Sequence, residues 1–415
     1  MLKGRAQRGP SRRREAAPAP AGTRPALAEQ AEVRVEKLVV GGDGLARLEG
    51  VPLFIPRAAP GDLLRVRVTA RRPDYGRAEI LEVLEAGPGR RPDPFPELAL
   101  TGACDLQHLD DALQPRLKAE AVRETLERLG RVELPARCQL LTGEPWGYRL
   151  RTQLHTAVDP AGGVRVGYYA RGSHEVIPLT RCPLLVPELE ELLPELPALL
   201  AASPPRRLDL AAGDGRAVTA APLVAGLPHG EVTMAVAGLA FGYDARCFFQ
   251  THRGLLPRLV EVAVGPWEGE EALDLYGGVG LFSLPLARRY RRVVSVEADR
   301  VATRYARNNA RRNRLAGVVA VAQVVESWIA TLASRPDRVI VDPPRGGLAA
   351  KVRHTLVERP VERLTYVSCD AATLARDLRQ LDPAYRIESV TLLDLFPQTG
   401  HMEAVVQMVR RVPPA

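Results

Sequence analysis

The feature that most constrains the fold is a regular alternation of apolar strands and helix-length segments that begins near residue 270. Five strand-like runs, from EALDLY to LTYVSC, are each followed by a helix-length segment, as RVVSVEA is followed by VATRYARNNARRN. Two final runs, IESVTLLDLF and MEAVVQMVRR, have no helix between them and are typical of a hairpin. The pattern predicts a doubly wound α/β sheet with an antiparallel edge, which binds ligands beyond the carboxyl ends of its strands.

Residues 31–88 predict a different architecture, because short β-rich runs alternate there with Gly, Pro and Asp turns. Several short strands in so short a segment favour a small all-β barrel of OB type, which is a common nucleic-acid platform. Arg65, Arg67, Arg71 and Arg72 would give this barrel a basic face. Many small barrels bind no nucleic acid, so the pattern alone leaves RNA binding open.

The other segments complete the predicted domain organisation. Residues 1–30 carry seven Lys or Arg and two Glu in a sequence rich in Ala and Pro, which predicts a disordered basic tail. The tail could serve solubility or bind phosphates loosely. Residues 89–245 mix strands with helical patches and predict a central α+β domain, and residues 246–415 form the predicted ligand-binding domain.

The net charge and the spacing of the cysteines limit which classes of protein the sequence fits. The 415 residues carry a net charge of +8, and the isoelectric point is about 9.5, so a polyanionic partner fits. The sequence has no apolar run of transmembrane length and no CxxC pair among its five cysteines. We therefore expect a cytoplasmic protein, by default a monomer, with no membrane partner, no disulfide framework and no bound metal.

A glycine-rich loop follows the first strand of the α/β region. In LDLYGGVGLFSLPLA, Gly277, Gly278 and Gly280 allow a tight turn and close approach to a ligand. Glu297 ends the next strand at a distance typical of an acid that binds ribose hydroxyls. Asp274 at the loop entrance would repel a pyrophosphate but suits a cationic ligand. This charge favours S-adenosylmethionine (SAM) over a nicotinamide cofactor.

Asp342, in VIVDPPRGG, ends the fourth predicted strand, and Cys369 ends the fifth at the same carboxyl edge. Glu403 opens the last predicted strand. A thiolate that adds to carbon 6 of uracil makes carbon 5 nucleophilic, and a base must remove the carbon-5 proton after that carbon has been alkylated. Cys369 fits the nucleophile and Glu403 fits the base. A helix N-terminus directly after Cys369 could lower the pKa of its thiol.

Several ordered motifs together resemble the RNA uracil-5-methyltransferase family. They are CFFQTH, DLYGGVGLFSLPLA, VIVDPPRGG, YVSCDAATLARDL, LDLFPQTGHMEAVV and GYRLR. The resemblance implies a Rossmann-like class I methyltransferase domain and identifies residues 31–88 as a TRAM domain that binds RNA.

The resemblance also implies roles for individual residues. Cys369 would be the nucleophile and Glu403 the general base, while Arg151 and Phe248 would contact the substrate base. SAM would be bound by the following residues: Gln250, Tyr276, Gly278, Gly280, Glu297 and Asp342.

Two departures from the family pattern bear on activity. Asp370 follows the nucleophile where Asn is usual, and its charge would oppose thiolate formation unless it caps the next helix. Many members hold a four-iron cluster with four cysteines. Here Phe95 and Thr101 replace two of these, and only Cys104 and Cys182 remain, so we expect no iron–sulfur cluster.

The leading hypothesis is SAM-dependent methylation of carbon 5 of a uridine in structured RNA, with 23S ribosomal RNA favoured over transfer RNA. A tRNA uridine-54-type enzyme and a catalytically inactive RNA-binding or ribosome-assembly protein remain alternatives. An amino-methyltransferase would leave Cys369 and Glu403 without a role, and a nicotinamide-dependent oxidoreductase fits least.

Overall fold

A computed structural model describes residues 30–136 and 138–411 of the chain. The basic tail predicted for residues 1–30 therefore lies outside the described residues, apart from Gln30, which opens the first strand. Within the described part, no helix combines the length and the apolar character needed to cross a membrane.

The N-terminal segment forms a six-stranded sheet in the order β1-β5-β6-β4-β3-β2. Its strands are β1 (Gln30–Arg34), β2 (Lys37–Leu38), β3 (Gly44–Leu48), β4 (Val51–Ile55), β5 (Leu63–Arg71) and β6 (Gly76–Glu85). Alternate residues of these strands bury a small aliphatic core around Leu53, Ile55 and Leu64. The all-β prediction for this segment is confirmed.

The expected basic face of this domain is largely paired with carboxylates. Arg65 lies between Glu32, at 3.0 Å, and Glu82, and Arg67 pairs with Glu79 at 2.8 Å. These partners face each other across antiparallel strands, because Arg65 is in register with Glu82 and Arg67 with Glu79. The sequence shows the arginines but not the strand register that pairs them with carboxylates. The predicted basic face therefore has less unpaired positive charge than expected.

The central region contains a five-stranded sheet in the order β10-β9-β8-β11-β12 and a separate hairpin. Its strands are β7 (Gln139–Leu141), β8 (Arg151–Val158), β9 (Val164–Tyr169), β10 (Val176–Pro178), β11 (Arg207–Ala212), β12 (Val218–Ala221), β13 (Val232–Val236) and β14 (Leu239–Tyr243). Its helices are α1 (Pro96–Ala99), α2 (Gln114–Thr125), which continues through a π-turn (Leu126–Gly130), α3 (Pro187–Glu190) and α4 (Leu196–Leu199).

The C-terminal region forms an eight-stranded sheet in the order β17-β16-β15-β18-β19-β21-β20-β7. Its own strands are β15 (Gly269–Leu275), β16 (Tyr290–Glu297), β17 (Val318–Ala322), β18 (Arg338–Val341), β19 (Arg363–Ser368), β20 (Tyr385–Leu393) and β21 (Glu403–Arg410). Its helices are α5 (Leu256–Val264), α6 (Ser283–Leu286), α7 (Arg300–Arg312), α8 (Val325–Trp328), α9 (Ala350–Glu358) and α10 (Ala371–Leu381). The predicted doubly wound sheet is confirmed.

The strand pairing within this sheet also follows the prediction. Strands β15 to β19 pair in parallel, while β21 runs antiparallel to both β19 and β20 as the expected hairpin. Two details were not predicted. The segment FSLPLARRY forms only the four-residue helix α6, because the chain re-enters the sheet at Tyr290. Strand β7 adds to the sheet parallel to β20, so the central segment also contributes to this domain.

Candidate active site

The carboxyl edge of the large sheet gathers the predicted chemistry. Asp342 follows β18 and Cys369 follows β19, and these two strands are parallel neighbours. Glu403 opens β21, which runs antiparallel to β19, so it lies at the same edge. Ser368 is the cross-strand partner of Ala404, so the next position along both strands brings Cys369 beside Glu403. Residues from three distant segments thus meet at one edge of the sheet.

The glycine-rich loop between β15 and α6 is fixed by backbone hydrogen bonds. The amides of Tyr276 and Gly277 both donate to the carbonyl of Val296, at 2.9 and 3.1 Å. Tyr276 adopts a left-handed backbone with a φ of 66°, which is uncommon for a residue with a side chain and recurs at binding sites. Gly278 has a φ of 53°, and a Cβ added there would meet open space.

Glu297 supports this loop. One of its carboxylate oxygens accepts a 3.0 Å bond from the amide of Gly278, and the other accepts a 2.7 Å bond from the amide of Asp299. Its side chain is half-buried. Ribose binding by Glu297 stays a prediction.

Two further carboxylates lie beside the loop, of which Asp274 is buried and Asp342 is half-buried. Asp274 accepts a hydrogen bond from Ser283, and burial raises the pKa of this carboxyl to about 6. Asp342 accepts a 3.3 Å bond from Nε2 of Gln250, and burial, together with the nearby charge of Asp274, raises its pKa to about 7. Among residues 30–136 and 138–411, no Lys or Arg forms an ion pair with either carboxylate.

Polar atoms without partners show what kind of ligand this pocket fits. Within the described chain, Oδ1 of Asp274, Oγ of Ser295 and Oε1 of Gln250 are buried and accept no hydrogen bond. Such groups cost free energy unless a ligand or water satisfies them. A cluster of acceptors and carboxylates with open space above Gly278 suits a ligand that carries an amine, hydroxyls and a positive charge. SAM has all three, so the residues present fit this cofactor.

The protonation of Cys369 differs from the expectation. Burial and the neighbouring Glu403 carboxylate raise the pKa of the Cys369 thiol to about 11, and only Arg345 opposes them to a notable extent. The pKa of this thiol is thus raised overall, although a helix begins two residues after it at Ala371. Burial and the charge of Asp342 likewise raise the pKa of Glu403 well above its ordinary value. The pocket therefore disfavours accumulated negative charge.

Asp370 caps the helix that follows the nucleophile. Its Oδ1 accepts a 2.8 Å hydrogen bond from the amide of Thr373, and α10 begins at Ala371. Its charge is the weakest of the influences that raise the pKa of Cys369. Of the two possibilities left open by the sequence, the structure thus shows the helix cap.

Arg345 and His401 are site residues that sequence reasoning did not single out. Arg345 Nη2 lies 3.1 Å from Nε2 of His401. The backbone carbonyl of Arg345 accepts a 3.1 Å hydrogen bond from Oγ1 of Thr373. Burial and the charge of Arg345 lower the pKa of His401 to about 4, so this ring is neutral at pH 7. The sequence motif DPPR contains Arg345 and could have indicated it, but only the tertiary structure shows that this cation lies near Cys369.

Arg151 and Phe248, the predicted substrate contacts, lie together. The Arg151 guanidinium stands 5.9 Å from the centroid of the Phe248 ring, and Phe248 is 64% exposed. Arg151 Nη2 donates to the carbonyl of Ala245 at 3.1 Å, while its buried Nε has no partner in the described chain. An exposed aromatic ring beside an arginine can stack on a base, as RNA-binding sites often do.

The residues around Cys104 and Cys182 do not fit an iron–sulfur cluster. Burial raises the pKa of both thiols, and Cys182 Sγ lies 3.6 Å from the hydroxyl of Tyr168. The hydroxyl of Thr101 donates a hydrogen bond to the carbonyl of Leu98, and the Phe95 ring packs edge-on against Trp146. In the described residues, no group of three or more His, Cys, Asp or Glu could hold a metal ion.

The strand order and the ligand site at the carboxyl edge define a Rossmann-like methyltransferase fold. The solved structure of Pyrococcus abyssi tRNA (uracil-54, C5)-methyltransferase in complex with S-adenosyl-L-homocysteine has this fold. Its TM-score to this chain is 0.71 with 23% sequence identity, and the match covers 91% of this chain and all of the other.

Comparison of sequences gives the family. The model of the tRNA (uracil-5-)-methyltransferase family matches residues 231–411, and that of the TRAM domain matches residues 29–81. The 23S rRNA (uracil(1939)-C(5))-methyltransferase RlmD of Salmonella typhimurium is 32% identical over 91% of this chain and 96% of its own. An uncharacterized RNA methyltransferase of Synechocystis, sll1967, is 30% identical over 90% and 94%. The chain therefore belongs to the RNA uracil-5-methyltransferase family.

Proposed function

We propose that this protein transfers a methyl group from SAM to carbon 5 of a uridine in structured RNA, with 23S ribosomal RNA as the favoured substrate. The observation that carries the proposal is the meeting of Cys369 and Glu403 at one sheet edge, beside buried polar atoms of Asp274 and Gln250 that have no partner in the described chain. The similarity to RlmD enzymes over nearly the whole chain supports ribosomal RNA as the substrate.

The cofactor would be held by the chain's own carboxylates and glycine loop. Glu297 would take the ribose hydroxyls, while Asp342 and Gln250 would face the polar end of the cofactor beside Tyr276. When bound, SAM supplies an electrophilic methyl group. Asp274 and Glu403 are buried, Asp342 is half-buried, and none of the three forms an ion pair in the described chain, so a positive charge on the ligand would offset their mutual repulsion.

The target uridine must leave its stack to reach this pocket, as base-modifying enzymes require. Arg151 and Phe248 would hold the flipped base at the rim. The Cys369 thiolate adds to carbon 6, which makes carbon 5 nucleophilic. Once carbon 5 is methylated, Glu403 removes its proton, the ring double bond re-forms, and the bond to sulfur breaks. We further propose that the protein works as a monomer in the cytoplasm.

Ribosomal RNA transcribed with 5-fluorouridine tests this function. Fluorine at carbon 5 cannot leave as a proton, so the active protein and SAM should form a denaturant-stable protein–RNA adduct that Cys369→Ala abolishes. Mapping the adduct identifies the modified uridine. An adduct with transfer RNA alone would favour the tRNA uridine-54 alternative. Absence of an adduct with either RNA, from folded protein that binds SAM, would favour an inactive RNA-binding protein.

A further inference from the structure

The loop that carries the proposed base is held from outside its own sheet. Residues 394–402, which we call the base loop, connect β20 to β21 and end directly before Glu403. A single buried ammonium, Nζ of Lys118 on α2, donates to the carbonyls of Phe396 at 3.1 Å, Thr399 at 3.1 Å and His401 at 3.0 Å. One side chain from the central region thus contacts three carbonyls of this loop, although the Phe396 carbonyl also accepts from the amide and hydroxyl of Thr399.

Burial makes this contact costly to lose. Lys118 also pairs with Asp394 at 2.6 Å, and both side chains are 1% exposed. Burial lowers the pKa of Lys118, and the adjacent Asp394 carboxylate opposes that shift. Removal of the ammonium would leave the carbonyls of Thr399 and His401 and the buried carboxylate of Asp394 without a donor in the described chain, which native structures avoid.

The same helix holds the loop at a second point. Gln114 lies one turn before Lys118 on the same face of α2. Its Oε1 accepts a 3.0 Å bond from the amide of Gln398, and its Nε2 donates a 2.9 Å bond to the side-chain oxygen of Gln398. Gln398 has a left-handed backbone with a φ of 66°, a conformation that needs such support in a residue with a side chain.

The hydrogen bond that caps the helix after the nucleophile does not involve Lys118. Cys369 lies between β19 and α10, whose first turn is fixed by the Asp370 cap. The side-chain hydrogen bonds of Lys118 in the described chain all go to the base loop. A change at Lys118 should therefore act on Glu403 directly through the base loop, and on Cys369 only through His401 and Arg345.

We propose that Lys118 is a positioning residue that holds the base loop so that Glu403 reaches the carbon-5 proton. This inference rests on the proposed function. In the step concerned, Glu403 accepts the proton from methylated carbon 5, the electrons of that C–H bond form the carbon 5–carbon 6 double bond, and the carbon 6–sulfur electrons return to Cys369. Loss of Lys118 slows this elimination and leaves the preceding addition and methylation nearly intact.

The test is a single-turnover reaction of the full chain with SAM and ribosomal RNA containing [5-³H]uridine. Methyl incorporation, tritium release and the denaturant-stable adduct are measured in the same samples. In the wild-type protein, tritium release should keep pace with methylation. For Lys118→Met we expect methylation within about threefold of wild type, tritium release slowed at least roughly tenfold, and accumulation of methylated adduct.

Arg338→Met is the matched control. Arg338 is an equally buried cation on β18, and it donates to Ala263, Thr365 and Gln407, none of which lies in the base loop. Its loss should lower stability without accumulation of adduct. If Lys118→Met does not fold, two other variants replace it. The double variant Lys118→Met, Asp394→Asn removes both buried charges, and Gln114→Met removes the second contact with the base loop. Each should accumulate the methylated adduct as Lys118→Met is expected to do.

The outcomes separate the two proposals. If Lys118→Met or its substitutes lose methylation and tritium release equally, or behave like Arg338→Met, the positioning role is overturned while the proposed function stands. If wild-type protein neither methylates RNA nor releases tritium, the proposed function is overturned.

Discussion

Gln250 and Asp342 are 92 positions apart in the chain, yet Nε2 of Gln250 donates a 3.3 Å hydrogen bond to Oδ2 of Asp342. This bond joins the CFFQTH segment to the end of β18 and leaves Oε1 of Gln250 buried without a partner. The two residues thereby form one wall of the candidate cofactor pocket.

Gln250→Ala should weaken binding of SAM roughly tenfold or more, because hydrogen bonds to charged groups contribute on the order of 1.5–3 kcal/mol. Isothermal titration calorimetry with SAM measures the effect. Gln153→Ala is a suitable control, since Gln153 is exposed on β8 of the central sheet. Equal affinity in both variants would remove Gln250 from the cofactor site.

Reaction of Cys369 with iodoacetamide should depend on the cofactor. With the pKa of the thiol near 11, alkylation of the free protein at pH 7–9 should be slow. A cation bound beside Asp342 stabilises the thiolate, so SAM or a cationic analogue should shift the pH–rate profile to lower pH. S-adenosylhomocysteine lacks the sulfonium and should shift it less. The measurement uses Cys138→Ser protein, because Cys138 is also half-buried and could react.

Asp370 can be tested for its two effects separately. Asp370→Asn keeps a capping side chain but removes the charge, so we expect little change in the free energy of unfolding and a lower pKa for Cys369. Asp370→Ala should lose about 0.5–2 kcal/mol of stability by removing the cap. Denaturant unfolding and thiol alkylation measure the two effects. Equal stability of the two variants would contradict the capping role.

Asp342→Asn should raise the free energy of unfolding of the ligand-free protein and weaken its binding of SAM. The pKa of Asp342 is about 7 in the folded chain and near 3.8 when unfolded, so the folded state binds more protons. This stabilising contribution is complete below pH 3.8 and is lost as pH rises through 7. The variant should therefore gain about 1 kcal/mol or more relative to wild type at pH 8, and much less at pH 4. Urea unfolding at the two pH values checks this, and an equal gain at both would contradict it.

The class of fold could be predicted because it depends on local patterns. Apolar runs separated by helix-length segments specify a parallel sheet, and a last pair of runs without a helix specifies the edge hairpin. The carboxyl ends of parallel strands meet at one edge, so the sequence also predicts that Asp342 and Cys369 lie close together. The same rule predicts that the glycine-rich loop and the acids at the strand ends lie at this ligand-binding edge.

What the sequence could not determine depends on contacts between distant segments. The pKa of Cys369 is set by burial and by Glu403, and neither is visible in the residues around the thiol. Strand β7 joins the large sheet, and Lys118 reaches the base loop, only because the central region folds against the catalytic one. Local sequence thus determined the elements and their order, whereas tertiary structure decided charge, burial and support at the site, because these depend on which segments pack together.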